Sequence, residues 1–225
     1  MEGVPSNAAV PMFPLGSVVF PGMFVPLHVF EERFRRLIAD CLDADRMFGS
    51  ALIQRGSEVG GGDVRSDVAV RARIVEAEQF ADGRWSVLAV GIDRVRVTRW
   101  LPDDPYPMAV VEESPDETVD PGFDRLLRRS AERLVSFMDR ARSNGFQVPE
   151  LAIDPGSDLP PDPTMASFQL AAISPMGPSD RYALLDAQGP TRRLEMFIEM
   201  IDEQSMLLDG RIQPPPPEGF GPDPG

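Results

Sequence analysis

The chain has no lysine: all 22 of its basic residues are arginine. A GxxxxGK[ST] phosphate loop, a Ser-Lys catalytic dyad and Schiff-base chemistry each need a lysine amine, so those three enzyme classes are excluded for this sequence. Cysteine and histidine are nearly as scarce. One cysteine makes no internal disulfide, and with one histidine it cannot supply the four N or S ligands of a structural zinc site within a single chain. Paired carboxylates such as Asp103-Asp104 and Glu112-Glu113 lack an oxygen-ligand loop pattern. No metal and no cofactor is expected.

Charge is missing locally as well. Residues 10 to 30, VPMFPLGSVVFPGMFVPLHVF, carry no formal charge over 21 positions, enough length to span a bilayer. Four prolines rule that out, because Pro11, Pro14, Pro21 and Pro26 each remove a backbone donor that hydrocarbon cannot replace. The preceding MEGVPSNAA has no arginine for the basic start of a signal peptide. A cytoplasmic location is expected. SVVF and PLHVF read instead as short strands, with the prolines and Gly16 and Gly22 confining them to edges and turns.

The charge that is present is acidic. Asp and Glu number 36, for a net charge of -14; residues 1 to 100 hold 13 acids against 12 arginines, and residues 101 to 225 hold 23 against 10. A nucleic-acid phosphate backbone is repelled by such a surface, so nucleic acid is not an expected partner.

Periodicity divides the chain in two. VAVRARI alternates Val70, Ala72 and Ile74 with Arg71 and Arg73, RVRV repeats the pattern at Val95 and Val97, and Asp82-Gly83 lies between two strand runs. This predicts a long hairpin from about Val68 to Trp100, with Arg71, Arg73, Arg94 and Arg96 on its outward face in solvated ion pairs. Phe34, Leu37, Ile38, Cys41 and Leu42 fall at helical spacing in a first helix near Glu31, whose two glutamates suit its positive end. Cys41 reads as core and His28 as structural, since no partner motif accompanies either. GSEVGGGD, from Gly56 to Asp63, precedes a strand pattern rather than a helix and reads as a connection, not a phosphate loop.

After a last strand in PMAVVEE the period shifts to about 3.6. Helices are predicted from about Gly122 to Arg142, from Asp162-Pro163 to Ile173 with Asp162 as cap, over RYALLDAQ, and from Gly189-Pro190 to near Gly210 with Thr191 as cap. RIQPPPPEGFGPDPG has the composition of an extended, disordered tail.

PMFPLGSVVFPGMFVPLHVFEERFRRL resembles the opening of the Lon protease N-terminal, substrate-binding domain: a proline-flanked strand, a Val-Phe-Pro-Gly turn, then P-L-x-V-F-E and a helix. Two later segments of that family are present in order: the G-x-x-R-x-R-V hairpin end at Gly91, Arg94, Arg96 and Val97, and SPMGPSDRYALLDAQGPTRRLEMFIEMI before the last helix. The resemblance implies an α+β fold: a PUA-like β-barrel subdomain with one helix over 8–115, a C-terminal α-helical bundle over 120–210, and a proline-rich tail over 211–225. A full-length Lon protease carries ATPase and Ser-Lys protease modules, both of which use lysine. The expectation is a stand-alone, non-catalytic form lacking both.

The resemblance implies recognition of exposed apolar segments of other polypeptides, with a separate ATPase or protease as a possible partner. Two stretches supply candidate contacts. Met196, Met200 and Leu207 fall on the side of the last helix opposite its core stripe of Leu194, Phe197, Ile198, Ile201 and Leu208, and methionine suits adaptable binding surfaces. Packing of that face inside the protein, or a homodimer, are the competing readings. In FPGMF the Pro-Gly turn presents Met23 and Phe24 outward, or folds them under the sheet. The alternative function is a small-molecule regulator with a pocket where barrel and helices meet.

Overall fold

The computed structural model describes residues 9–56, 62–151, 153–208 and 210. The proline-rich tail at 211–225 and most of the Gly56–Asp63 connection lie outside the described residues. Among the described residues six strands precede four of five helices: β1 Ala9–Leu15, β2 Phe24–Val29, α1 Glu32–Asp43, β3 Met47–Arg55, β4 Val64–Gln79, β5 Trp85–Trp100, β6 Met108–Glu113, α2 Phe123–Ser143, α3 Pro163–Ile173, α4 Pro178–Asp186 and α5 Pro190–Leu208. No described helix is long and apolar enough to cross a membrane.

The sheet order is β2-β5-β4-β3-β1-β6, and β5 also pairs with β6, so five strands close into a ring and β2 hangs on the outside of the long hairpin. Inside the ring lies a small core of Val10, Met12, Ala51, Ala69, Val95, Val97, Ala109 and Val111, to which every ring strand contributes. A larger core joins the other sheet face to the helices, from Val68, Val70 and Ile74 through Leu37 and Phe20 to Leu134, Phe168, Leu194 and Phe197. Phe13 stacks on Phe34 at 4.4 Å between ring centroids, fixing α1 against β1.

The hairpin turns where expected. Gly83 has φ +83°, its N–H donates to the Phe80 carbonyl at 2.9 Å, and the Asp82 side chain accepts from the Arg84 N–H. Asp162 caps α3 by accepting from the Met165 N–H at 2.8 Å. Thr191 is not a cap; it lies inside the first turn of α5, and its hydroxyl accepts from the Asp120 N–H at 3.2 Å.

SVVF is not a strand. The strand is the segment before it, Ala9–Leu15, and Ser17–Phe20 is irregular although Val18, Val19 and Phe20 are buried. The chain meets β5 only at its end: the Phe20 carbonyl lies so close to Gly91 that a Cβ there would sit 2.3 Å from it, and Gly22 and Met23 then exchange backbone bonds with Gly91 at 2.8 and 2.9 Å. The turn that follows is Phe20-Pro21-Gly22-Met23, with Gly22 at φ +80° and the Met23 N–H donating to the Phe20 carbonyl at 3.0 Å.

The four hairpin arginines do not share an outward face. β4 and β5 slip register between Arg71 and Ala72 and again between Ile74 and Glu76, which leaves Ile92 and Val75 as extra residues and changes side-chain parity. The two slips cancel beyond Arg71, so Arg94 and Arg96 stand opposite Val70 and Val68 in the register that the Asp82-Gly83 turn itself sets, on the face the helical layer covers. Arg71 pairs with Asp93, Nε to Oδ1 at 2.7 Å, and Arg96 pairs with Asp186 at 2.9 Å. Arg94 is buried.

Candidate functional site

Strand alternation on β2 separates two sets of side chains. Leu27 and Val29 are buried; Phe24, Pro26 and His28 point outward, and Phe30 follows just past the strand end. Phe24 is 60% exposed, Phe30 57% and Phe80, at the hairpin tip, 44%. Large aromatic side chains are seldom left this open together unless something covers them. Phe30, Phe80, Trp85, Arg84 and His28 line a cleft of about 360 Å³.

The register extends this face across the hairpin, because directly opposed residues in an antiparallel pair share a side of the sheet. Phe24 stands opposite Val90 and then Arg73; Pro26 opposite Leu88 and then Glu76; His28 opposite Ser86 and then Glu78. The extra residue at Val75 is what brings Glu76 and Glu78 outward on β4. A cleft of about 260 Å³ runs from Pro26 past Leu88 and Ser86 to those two glutamates.

The other edge of β2 has no strand partner among the described residues. A cleft of about 240 Å³ separates it from the second half of β1, with Pro14 on one wall and Pro26 on the other. Both prolines lack an N–H, so neither wall offers the full set of donors that an added strand would use.

His28 is exposed and shares a row with Ser86 and Glu78, but Ser86 occupies the middle position. A nucleophile-base-acid relay needs the histidine between the other two. Among the described residues no hydrogen bond joins any two of these side chains. Cys41 is buried and donates its thiol to the Met47 carbonyl at 3.3 Å. Burial, reinforced by Asp45 and Asp40, pushes its pKa up to about 12, so it is a core side chain and not a nucleophile.

The residues singled out in the sequence fall in different settings. Phe24 is exposed, whereas Met23 is half-buried and its sulfur lies 3.7 Å from Nη2 of Arg181, a guanidinium that also covers the Phe20 ring. On α5, Met196 and Met200 are half-buried against the larger core, so that side of the helix packs internally. Leu207, at the end of α5, is 50% exposed beside exposed Met206.

Beside the apolar core, part of the junction between sheet and helices is filled by a buried charged cluster. Arg193 is 0% exposed and grips Asp116 with two bonds, Nη1 to Oδ2 at 2.9 Å and Nη2 to Oδ1 at 2.7 Å, while Arg94 reaches the same carboxylate at 3.0 Å. Arg193 also donates to Leu184 O and Ser167 Oγ and lies 3.5 Å from the Phe168 ring centroid; Arg94 donates to the carbonyls of Ser114, Pro115, Leu185 and Ala187. Burial pulls both guanidinium pKa values down, opposed by Asp116. A wider groove, about 720 Å³, lies elsewhere, between α2 at Leu127, Ala131 and Val135 and the loop at Pro155, Leu159 and Pro160. Among the described residues no group of His, Cys, Asp and Glu is arranged to hold a metal ion.

Sequence reasoning missed Phe30, Phe80, Glu76 and Glu78. The period-two alternation of FVPLHVF held the signal for Phe30; the outward turn of the glutamates depends on the extra residue at Val75, which no local pattern marks.

Comparison with known proteins extends this picture. The profile of the ATP-dependent protease La (LON) substrate-binding domain matches residues 9–203. Lon protease 2 of Sorangium cellulosum is 26% identical over 91% of this chain and 26% of its own length, and Lon protease of Escherichia coli strain K12 is 26% identical over 88% and 25%. The chain therefore spans about a quarter of the length of the curated relatives it matches. Among solved structures, a Lon N-terminal domain protein from Xanthomonas campestris superposes with a TM-score of 0.60 at 26% identity, covering 85% of this chain and 98% of the other. The N-terminal domain of Mycobacterium avium complex Lon protease gives 0.64 at 19% identity, covering 87% and 99%, a likeness of fold.

Proposed function

Because the chain belongs to the ATP-dependent protease La (LON) substrate-binding domain family, we propose that it is a recognition module without chemistry of its own, binding exposed apolar segments of other polypeptides. The sequence holds no lysine for a phosphate loop or a Ser-Lys dyad, so unfolding and cleavage of what it binds fall to ATPase and protease modules. We read the closed ring as a PUA-like barrel and α2 to α5 as the helical bundle joined to it.

The single observation that carries this reading is the exposure of three aromatic side chains, Phe24 on the outward face of β2, Phe30 just past its end and Phe80 at the tip of the neighbouring hairpin. Of the residues first singled out, Phe24 makes the main contact and Leu207 a lesser one at the end of α5. Met23, Met196 and Met200 are half-buried against the larger core and make no primary contact in this reading. The buried Arg94-Asp116-Arg193 cluster occupies the junction that a small-molecule pocket would need.

The test is fluorescence anisotropy of a labelled, permanently unfolded protein titrated without nucleotide, beside the natively folded form of the same probe. Saturable micromolar binding to the unfolded probe alone is expected, weakened about tenfold or more in Phe24→Glu/Phe30→Glu because central aromatic contacts dominate such interfaces. Equal binding of both probes, or of neither, refutes the reading.

A further inference from the structure

The outward face of the β2-β5-β4 sheet has a direction. Apolar groups, Phe24 and Pro26, stand on β2; Val90 and Leu88 follow on β5; and Glu76 and Glu78 stand on β4. Both carboxylates are exposed, and neither has a hydrogen-bond or ion-pair partner among the described residues. The nearby cations do not neutralise them: Arg84 pairs with Asp82 at 2.8 Å, and Arg73, one row away, pairs with neither. The cleft of about 260 Å³ runs across the strands, from Pro26 to Glu76 and Glu78, and not along them.

Resting on the reading above, we propose that the bound segment lies across these three strands, seating an apolar residue on Phe24 and Pro26 and a lysine or arginine between Glu76 and Glu78. The unpartnered edge of β2 is the other route for a peptide, but Pro14 and Pro26 face each other there without donors. The face also fixes a spacing. Two interstrand steps separate β2 from β4, about 10 Å, and an extended chain rises about 3.3 Å per residue, so the cation follows or precedes the apolar anchor by about three residues. The partner is thus a polypeptide segment with an aromatic or aliphatic block and a basic residue close to it, which an acidic carrier discriminates from an apolar block flanked by acids.

Fluorescein-labelled Gly/Ser peptides carrying one Phe-Leu-Phe block test this, with a Lys pair about three residues away, the same pair far along the chain, or a Gln or Glu pair at the near position. The near-Lys peptide is expected to bind about fivefold more tightly than the near-Gln or far-Lys peptide, the scale of two exposed ion pairs, with the advantage lost at high salt. Glu76→Lys/Glu78→Lys reverses the preference toward the Glu peptide, and Glu76→Gln/Glu78→Gln erases it. These side chains are exposed, so an unchanged far-UV spectrum is expected for both variants. Equal affinity of wild type for near-Lys and near-Gln peptides, or a preference that persists in the Gln variant, overturns the proposal while leaving apolar recognition standing. No binding of any peptide overturns it too, and the titration with unfolded protein then decides whether apolar recognition falls with it.

Discussion

Asp116→Asn removes one charge from the middle of the molecule and leaves its shape. In the wild type the carboxylate serves two arginines at once: Arg193, which has no solvent contact, at 2.7 and 2.9 Å, and Arg94, itself buried, at 3.0 Å. Removing one partner of a buried ion pair costs about 3–5 kcal/mol, because the remaining charge stays desolvated. Here the cost falls at the lower end, about 3 kcal/mol, since Arg193 keeps Leu184 O, Ser167 Oγ and the Phe168 ring and Arg94 keeps its carbonyls. Against a total stability of about 5–15 kcal/mol that is a large fraction, read as a drop in the urea midpoint at neutral pH. A double-mutant cycle with Arg193→Met isolates the coupling. A loss under about 1 kcal/mol, the value of an ordinary neutral hydrogen bond, would refute the claim that this charge joins sheet to helices.

Three further outcomes follow from local geometry. Gly91→Ala puts a Cβ 2.3 Å from the Phe20 carbonyl, a backbone atom that cannot rotate away, and is expected to cost about 2 kcal/mol or more in thermal unfolding. Asp162→Ala removes the cap of α3 and costs about 1 kcal/mol by the same assay. Cys41 and Tyr106 both have pKa values pushed up to about 12, chiefly by burial, with Asp40 accepting from the Tyr106 hydroxyl at 2.9 Å. Raised values mean that the folded state holds these protons more tightly, so their contribution is full below the ordinary values of 9.0 and 10.0 and is lost as pH rises toward about 12. Tyr106→Phe should flatten that alkaline fall in denaturant midpoint; an identical pH profile would count against the Tyr106 share.

Much of the fold was legible because it is written in local periods. The switch from alternation to helical spacing after β6, the Asp82-Gly83 turn and the Asp162-Pro163 helix start each depend on residues close in sequence, and each stands where the pattern puts it. What escaped depends on partners far away. SVVF has strand composition, but the chain joins the sheet only beyond it, where Gly22 and Met23 bond to Gly91. Arg94 alternates like a surface residue, yet the hairpin pairs it with Val70 on the face that the helical layer covers and buries. The apolar face of α5 was readable as a stripe, but whether α5 buries one side or two is decided by its neighbours, and Met196 and Met200 are half-buried against the core.

The motifs that carry the family likeness turn out to meet one another. Phe20 of the opening turn touches Gly91 of the hairpin motif and lies under Arg181 of the S-P-M segment; Arg94 of the hairpin motif meets Arg193 of the last segment through Asp116. These contacts are buried, they join sheet to helices, and none faces solvent where a ligand would come. The most recognisable residues therefore specify the joint, while the candidate recognition face is built from Phe24, Phe30, Phe80, Glu76 and Glu78, of which only Phe24 and Phe30 fall within a family motif. On that division of labour, substitutions at Glu76 and Glu78 change which segments are bound without moving the unfolding midpoint, and substitutions at Gly91, Asp116 or Arg193 do the reverse.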